Sequence, residues 1–268
     1  MSNHIAAKFL GINYSPIPQD EFQELTPKLI SALRSRLPRR ETPAIRGIKL
    51  NVGDGVMSAE SGETAKELHM VDAEGLIGIK IGNQGISLSS ASYVAYDEIL
   101  TFLSDVMSSI VSVVSITHYS RITLRNINLF PVTKGETDKF EHIRKEDYWG
   151  RQSFDILNND FTCAGAATRH EYFSNDFLKH IQLSSSVVLP NQSHIPESDW
   201  DIWKLRGGVP TAQDVQLLID ICGAGFVAPV NNPATQGKLA TYNWESVRCS
   251  FDELHKLVNS VYDEITKD

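Results

Sequence analysis

The chain has 268 residues, 41% of them hydrophobic and 22% charged, enough to bury a large core in one domain or two. Its formal net charge of -8 argues against broad nonspecific binding to phosphate, so nucleic acid is not expected as a partner. No run of 18 apolar residues occurs, which excludes a membrane-spanning helix.

Taken in chain order, Ile5 to Tyr14 reads as a first strand, broken by Pro16 and Pro18. Asp20 to Leu37 is helical, with Phe22, Leu25, Leu29, Leu33 and Leu37 on one face. Pro27 inside it suggests a restart, with Thr26 as N-cap and Pro27 at the first helical position. Arg34, Arg36, Arg39 and Arg40 load its C-terminal end, complementing the helix dipole or forming an anion- or nucleic-acid-contacting patch. Ala44 to Val52 is a short strand, Gly53-Asp54-Gly55 a turn, and Ser58 to Glu63 a polar, mobile segment. Lys66 to Val71, Gly75 to Ile81 and Gln84 to Ser89 form a meander with hairpin turns at Asp72–Gly75 and Gly82–Gly85.

The stretch from Tyr93 to Pro131 joins a helix to the longest strand expected in the chain. Tyr96, Leu100, Leu103, Met107, Ile110, Val111 and Val114 share one face of a helix that ends near Ser112. Ile116 to Phe130 is then a long strand. Its apolar residues sit at Ile122 and Leu124, then at Ile127 and Leu129, which predicts a β-bulge near Arg125 or Asn126. Pro131 ends the ladder.

Val132 to Asn159 is charged, with a short helix expected over Asp138 to Tyr148. Phe161 to Phe173 and Leu178 to Leu189 are strands around a Ser174-Asn175-Asp176 turn. Pro190 to Ala212 is rich in turn formers, Val215 to Val227 is an apolar strand, and Pro229 to Tyr242 is loop. Ser250 and Glu253 form a capping box for a last helix carrying Phe251, Leu254, Val258, Val261, Tyr262 and Ile265.

The expected class is therefore α+β, mainly antiparallel, with amphipathic helices on one face of the sheet. An N-terminal half (1–131), a polar bridge (132–159) and a C-terminal half (160–268) share a rough plan of strands followed by a helix, as a duplication would.

Leu124, Arg125, Asn126, Ile127 and Asn128 resemble the "lRYiN-R-I" strand of a sporadically distributed bacterial family of unassigned function. The aromatic residue after the family's arginine is absent here. Three further pieces follow that family's order: the extended run Leu76 to Ser89 leading to Tyr93, a late "LDiD"-type strand at Leu218-Ile219-Asp220-Ile221, and a closing helix with Phe251, Leu254-His255, Val261-Tyr262 and Ile265-Thr266. The likeness spans residues 70–130 and 215–266. It implies an α+β fold and no known activity. The family's frequent place near mobile or defence genes implies an interaction role, in defence or toxin neutralisation.

Catalytic signatures are missing. There is no GxSxG, no CxxC and no pair of histidines at metal-binding spacing; His170-Glu171 is not an HExxH, so no metal or cofactor is expected. Cys163, Cys222 and Cys249 are few, odd in number and far apart, which suits free thiols in a reducing cytoplasm. Cys249, just ahead of the expected last helix, is the thiol best placed for a lowered pKa. Met1 to Leu10 lacks the basic start and apolar core of a secretion signal.

Six residues are candidate site residues. Arg121, Arg125, Asn126 and Asn128 are polar beyond what a central strand needs. Either Arg125 and Asn126 satisfy backbone at the bulge and pair with a carboxylate such as Asp220, or the four line a polar groove for an anionic ligand or acidic segment. Trp200 and Trp203 either pack back onto the core or anchor an interface. Two functions follow: a non-catalytic module binding a protein partner, with a homodimer through sheet edges or the last helix as a further association; or an enzyme or binder acting on a phosphorylated or nucleic-acid ligand through the Arg/Asn cluster.

Overall fold

The computed structural model describes residues 4–53, 56–65, 67–131, 167–235 and 237–266. The polar bridge, the helix expected over Asp138 to Tyr148, the start of the strand expected from Phe161, Cys163 and two residues of the Gly53-Asp54-Gly55 turn lie outside them.

The chain is α+β. In order it forms β1 (Ile5–Tyr14), α1 (Gln19–Leu33), β2 (Arg39–Glu41), β3 (Ala44–Gly53), β4 (Val56–Ala65), β5 (Glu67–Val71), β6 (Ile77–Gly82), β7 (Gly85–Ser90), α2 (Tyr96–Val111) and β8 (His118–Pro131). Then come β9 (Ala167–Phe173), β10 (Lys179–Val188), α3 (Trp200–Arg206), β11 (Gln216–Phe226), β12 (Ala240–Thr241) and α4 (Trp244–Thr266). Ten strands make one antiparallel sheet, in the order β2-β5-β6-β7-β1-β8-β11-β10-β9, with β12 paired to one end of β8. Strands of the first half (β1, β8) and of the second (β11) adjoin at its centre, so the two halves share a single sheet.

The strand order reads outward symmetrically from the β1–β8 seam. β7, β6 and β5 flank β1, and β11, β10 and β9 flank β8; α2 comes after β7, and α4 comes after β11 with the short β12 between them. β1 and β8 are antiparallel, as a local two-fold axis through the sheet requires.

One sheet face carries α1, α2 and α4. Their apolar sides (Phe22, Leu29 and Leu33; Leu100, Leu103 and Met107; Val247, Phe251 and Leu254) close the main core over Leu10, Ile12, Ile79, Leu88, Leu124 and Ile221. Arg36 on the α1 end reaches Asp105 of α2 at 2.8 Å, and Tyr96 of α2 stacks on His255 of α4. Asp97 and Glu98 in the first turn of α2 complement its dipole. α4 lies close on β11 because Gly223 and Gly225 leave room: a Cβ at Gly223 would stand 3.1 Å from Val258.

Several local expectations are corrected. α1 does not restart at Thr26; it is continuous through Pro27, and the Thr26 hydroxyl donates to the Phe22 carbonyl at 2.8 Å. Pro27 is exposed, so the carbonyl four residues earlier that loses its donor is left to water. Ser58 to Glu63 is no loose connection: β4 pairs with β3 along its length, from Ala44 opposite Ala65 to Gly53 opposite Val56. The ladder uses backbone groups only, so polar side chains do not forbid it. α4 starts six residues before the expected capping box. The Asn243 side chain accepts from the Ser246 N–H at 3.2 Å, which leaves Ser250 and the exposed Cys249 in mid-helix.

The bulge expected at Arg125–Asn126 is absent. β8 runs in unbroken register with β11 from Arg121 to Pro131. Against β1 the register slips at Ala6 and again at Ser120. Ile122, Leu124 and Phe130 face the main core, whereas Ile127 faces a second, smaller apolar cluster on the other side of the sheet. The strand keeps its faces; an apolar cluster lies on each of them.

Candidate functional site

β8 sorts the candidate residues by parity. Arg121 and Arg125 share the face of Ile127, away from the three long helices, and Asn126 and Asn128 share the face of Leu124 beneath them. The expected four-residue cluster therefore does not form.

On the helix side the asparagines are buried with a lysine. Lys8 lies opposite Asn126 on one flank and opposite Ser90 on the other, a polar row inside the main core. Asn128 donates to the Ile219 carbonyl at 3.1 Å. The Ser90 hydroxyl and the Asn126 and Asn128 carbonyl oxygens have no hydrogen-bond partner among the described residues. Lys8 is 2% exposed. Its Nζ donates to the Val94 carbonyl at 3.3 Å and lies over the rings of Tyr93 and Tyr96 at 5.6 and 5.9 Å. Burial pushes its ammonium down to about 8. Tyr96 donates to Asp252 at 2.9 Å; burial and that carboxylate raise its phenol. His255 is lowered, first by burial and then by Lys8. The row lies on the sheet face that the three helices cover.

The other face is different. After β10 the chain leaves the sheet and crosses this face as a strap that ends in α3. Ile195, Ile202 and Trp203 bury themselves against Ala7, Phe9, Val71 and Ile127. Trp203 is buried and Trp200 half-buried, donating to the Ile195 carbonyl at 2.9 Å. Both tryptophans thus pack back onto the sheet, the first of the two readings open for them. Arg206 lies 4.4 Å over the Trp203 ring and donates to the Ser89 carbonyl and hydroxyl at 2.6 and 2.7 Å; burial lowers its guanidinium to about 10. The seat requires Gly78, whose Cβ would stand 2.7 Å from the Arg206 guanidinium.

At the same layer Arg125 meets Asp220 through two hydrogen bonds of 2.8 and 2.6 Å, a bidentate pair across β8 and β11. Asp220 lies opposite Ile127, one diagonal step from Arg125. Burial alone would lower the Arg125 guanidinium, but Asp220 holds it above its ordinary value. Arg125 is thus matched by the carboxylate anticipated for it.

Among the described residues the strap covers one end of the face and leaves the other open. There a groove of about 630 Å³ runs over β6, β7, β1 and β8. Its floor is made of Gly11, Ser87 and Thr123, and its near wall is the ion pair Lys80–Asp199 at 2.6 Å. Lys80 also donates to the Ser198 carbonyl at 2.6 Å, tying the strap to the sheet. Glu67 closes the outer end. Gly11 keeps the floor low, since a Cβ there would lie 2.4 Å from the Thr123 hydroxyl. Through Asn13 the groove continues into a recess of about 330 Å³ formed by Arg121, Phe226, Pro229, Val230 and Lys238.

Of the six expected residues, only Arg121 lines this open surface. Lys80, Asp199, Gly11, Ser87 and Thr123 escaped sequence reasoning because no motif joins them; neighbouring strands do. Lys8 did leave a signal, a charge at the parity of Leu10 and Ile12 in an apolar strand. Among the described residues no group of three or more His, Cys, Asp or Glu side chains could hold a metal ion, and no helix is long and apolar enough to cross a membrane. No protein-family model matches the chain, and no curated protein matches it.

Proposed function

We propose that the chain is a non-catalytic protein-binding module whose open sheet face receives an extended segment of a partner. The observation that carries this reading is the asymmetry of the sheet: three helices cover one face, while among the described residues the other bears only the α3 strap and keeps a polar groove with a glycine-floored bed. Small floor residues let a backbone lie close, and Ser87, Thr123 and Asn13 offer hydrogen bonds to it. An Arg/Asn pocket for a phosphorylated substrate loses its support, because Arg125 is neutralised by Asp220 and the asparagines lie on the opposite face. The resemblance to a family found near mobile or defence genes directs the search for the partner to the products of such genes.

A groove-blocking variant tests this. Ser87→Arg fills the bed without touching the core. The immobilised wild-type chain is expected to retain a partner from extract that Ser87→Arg loses and Lys256→Glu, on the outer side of α4, keeps. Retention by Ser87→Arg equal to wild type refutes the groove as the binding surface.

A further inference from the structure

We infer that the Arg121 end of the groove binds a carboxylate carried by the partner's extended segment. The inference rests on the groove being the binding surface and names the chemistry it recognises. Arg121 lies with its guanidinium 5.3 Å from the Phe226 ring centre, and its Nε is buried with no hydrogen-bond partner among the described residues. Lys238 lines the same recess. No carboxylate among the described residues forms an ion pair with either of them, whereas the neighbouring cations are matched, Lys80 by Asp199 and Arg125 by Asp220.

A chain with a net charge of -8 thus presents, in one recess at the end of its groove, two cations without an ion-pair partner among the described residues. A guanidinium lining a recess beside a ring gains most from a planar, two-oxygen acceptor. The rim supplies Pro229 and Val230, so the acid sits beside an apolar residue. Nucleic acid would need several phosphate contacts, and two cations within an acidic protein do not provide them.

The probe is a fluorescein-labelled hexapeptide of alternating Glu and Val, titrated with the full chain and read by anisotropy, beside its Lys/Val counterpart. Wild type is expected to bind the Glu peptide and not the Lys peptide. Arg121→Gln should weaken the Glu peptide about tenfold or more, as expected for one charge-assisted contact. Arg121→Lys should recover part of the loss, and Lys238→Gln, on an exposed loop, should weaken binding in the same direction. Lys256→Gln, across the sheet, should leave it unchanged. No binding of the Glu peptide, equal binding of both peptides, or wild-type affinity in both Arg121→Gln and Lys238→Gln overturns the inference. Displacement of the peptide by single-stranded DNA at lower concentration overturns it as well. If Ser87→Arg abolishes peptide binding while Arg121→Gln does not, the groove stands and the carboxylate reading falls; if neither variant alters it, both fall.

Discussion

Replacing Lys8 by Met should stabilise the protein at neutral pH, and the gain should vanish as the pH rises. The ammonium sits inside the main core with one hydrogen bond, to the Val94 carbonyl, and burial lowers its pKa from 10.5 to about 8. The unfolded chain keeps the higher value and binds the proton more tightly, so protonation favours unfolding below pH 8. Stability rises as the pH climbs from 8 towards 10.5. At 1.36 kcal/mol per pKa unit, the charged lysine costs about 3 kcal/mol at pH 7 and roughly 1 kcal/mol at pH 10. Met removes that cost, but it also removes the hydrogen bond and the ring contacts, together worth about 1–2 kcal/mol. The difference between variant and wild type should therefore change by about 2.5 kcal/mol between pH 7 and pH 10, in favour of wild type at the alkaline end. Urea unfolding of both proteins across that range measures it. Taking the difference cancels Tyr14 and Tyr242, whose phenols are raised by burial alone, and His255, lowered from 6.5 by burial and Lys8, changes charge below this range. A difference independent of pH would refute the buried, charge-penalised lysine.

Two further predictions concern the strap face. Asp220→Ala should cost about 3 kcal/mol, because it strands the Arg125 guanidinium in a largely covered site, and Arg125→Met combined with it should recover much of the loss; additive losses in a urea double-mutant cycle would contradict the pairing. Trp203→Ala should lower stability by about 3–5 kcal/mol, read from the urea midpoint, since its ring fills the second cluster; an unchanged midpoint would return the ring to solvent.

Much of the fold was legible. The helix from Tyr96, the long strand after it, the β5–β7 meander and the Arg125–Asp220 pair all follow from period, turn residues and the need of a strand arginine for a counter-ion. What failed did so for one recurring reason: local patterns were read as if each element had a single core. Ile127 beside Leu124 looked like a face switch because the second apolar cluster beyond the sheet is built by Trp203 and Ile202, which are distant in sequence and were read as loop. Ser250 and Glu253 matched a capping pattern, but the helix had already been started by Asn243. The groove was invisible for a different reason. Gly11, Ser87 and Thr123 are unremarkable singly and become a surface only when β7, β1 and β8 align.

The symmetric strand order has a consequence for synthesis. Leu10 pairs with Leu124, and Leu124 in turn with Gly223, so the middle of the sheet joins the segments most distant along the chain. While the ribosome has not yet delivered residues 216–226, β8 has β1 on one side and lacks β11 on the other, and Arg125 is without Asp220. The wings can zip early from neighbouring hairpins, but the keystone is set last, with an unzipped strand waiting at the centre of the nascent protein.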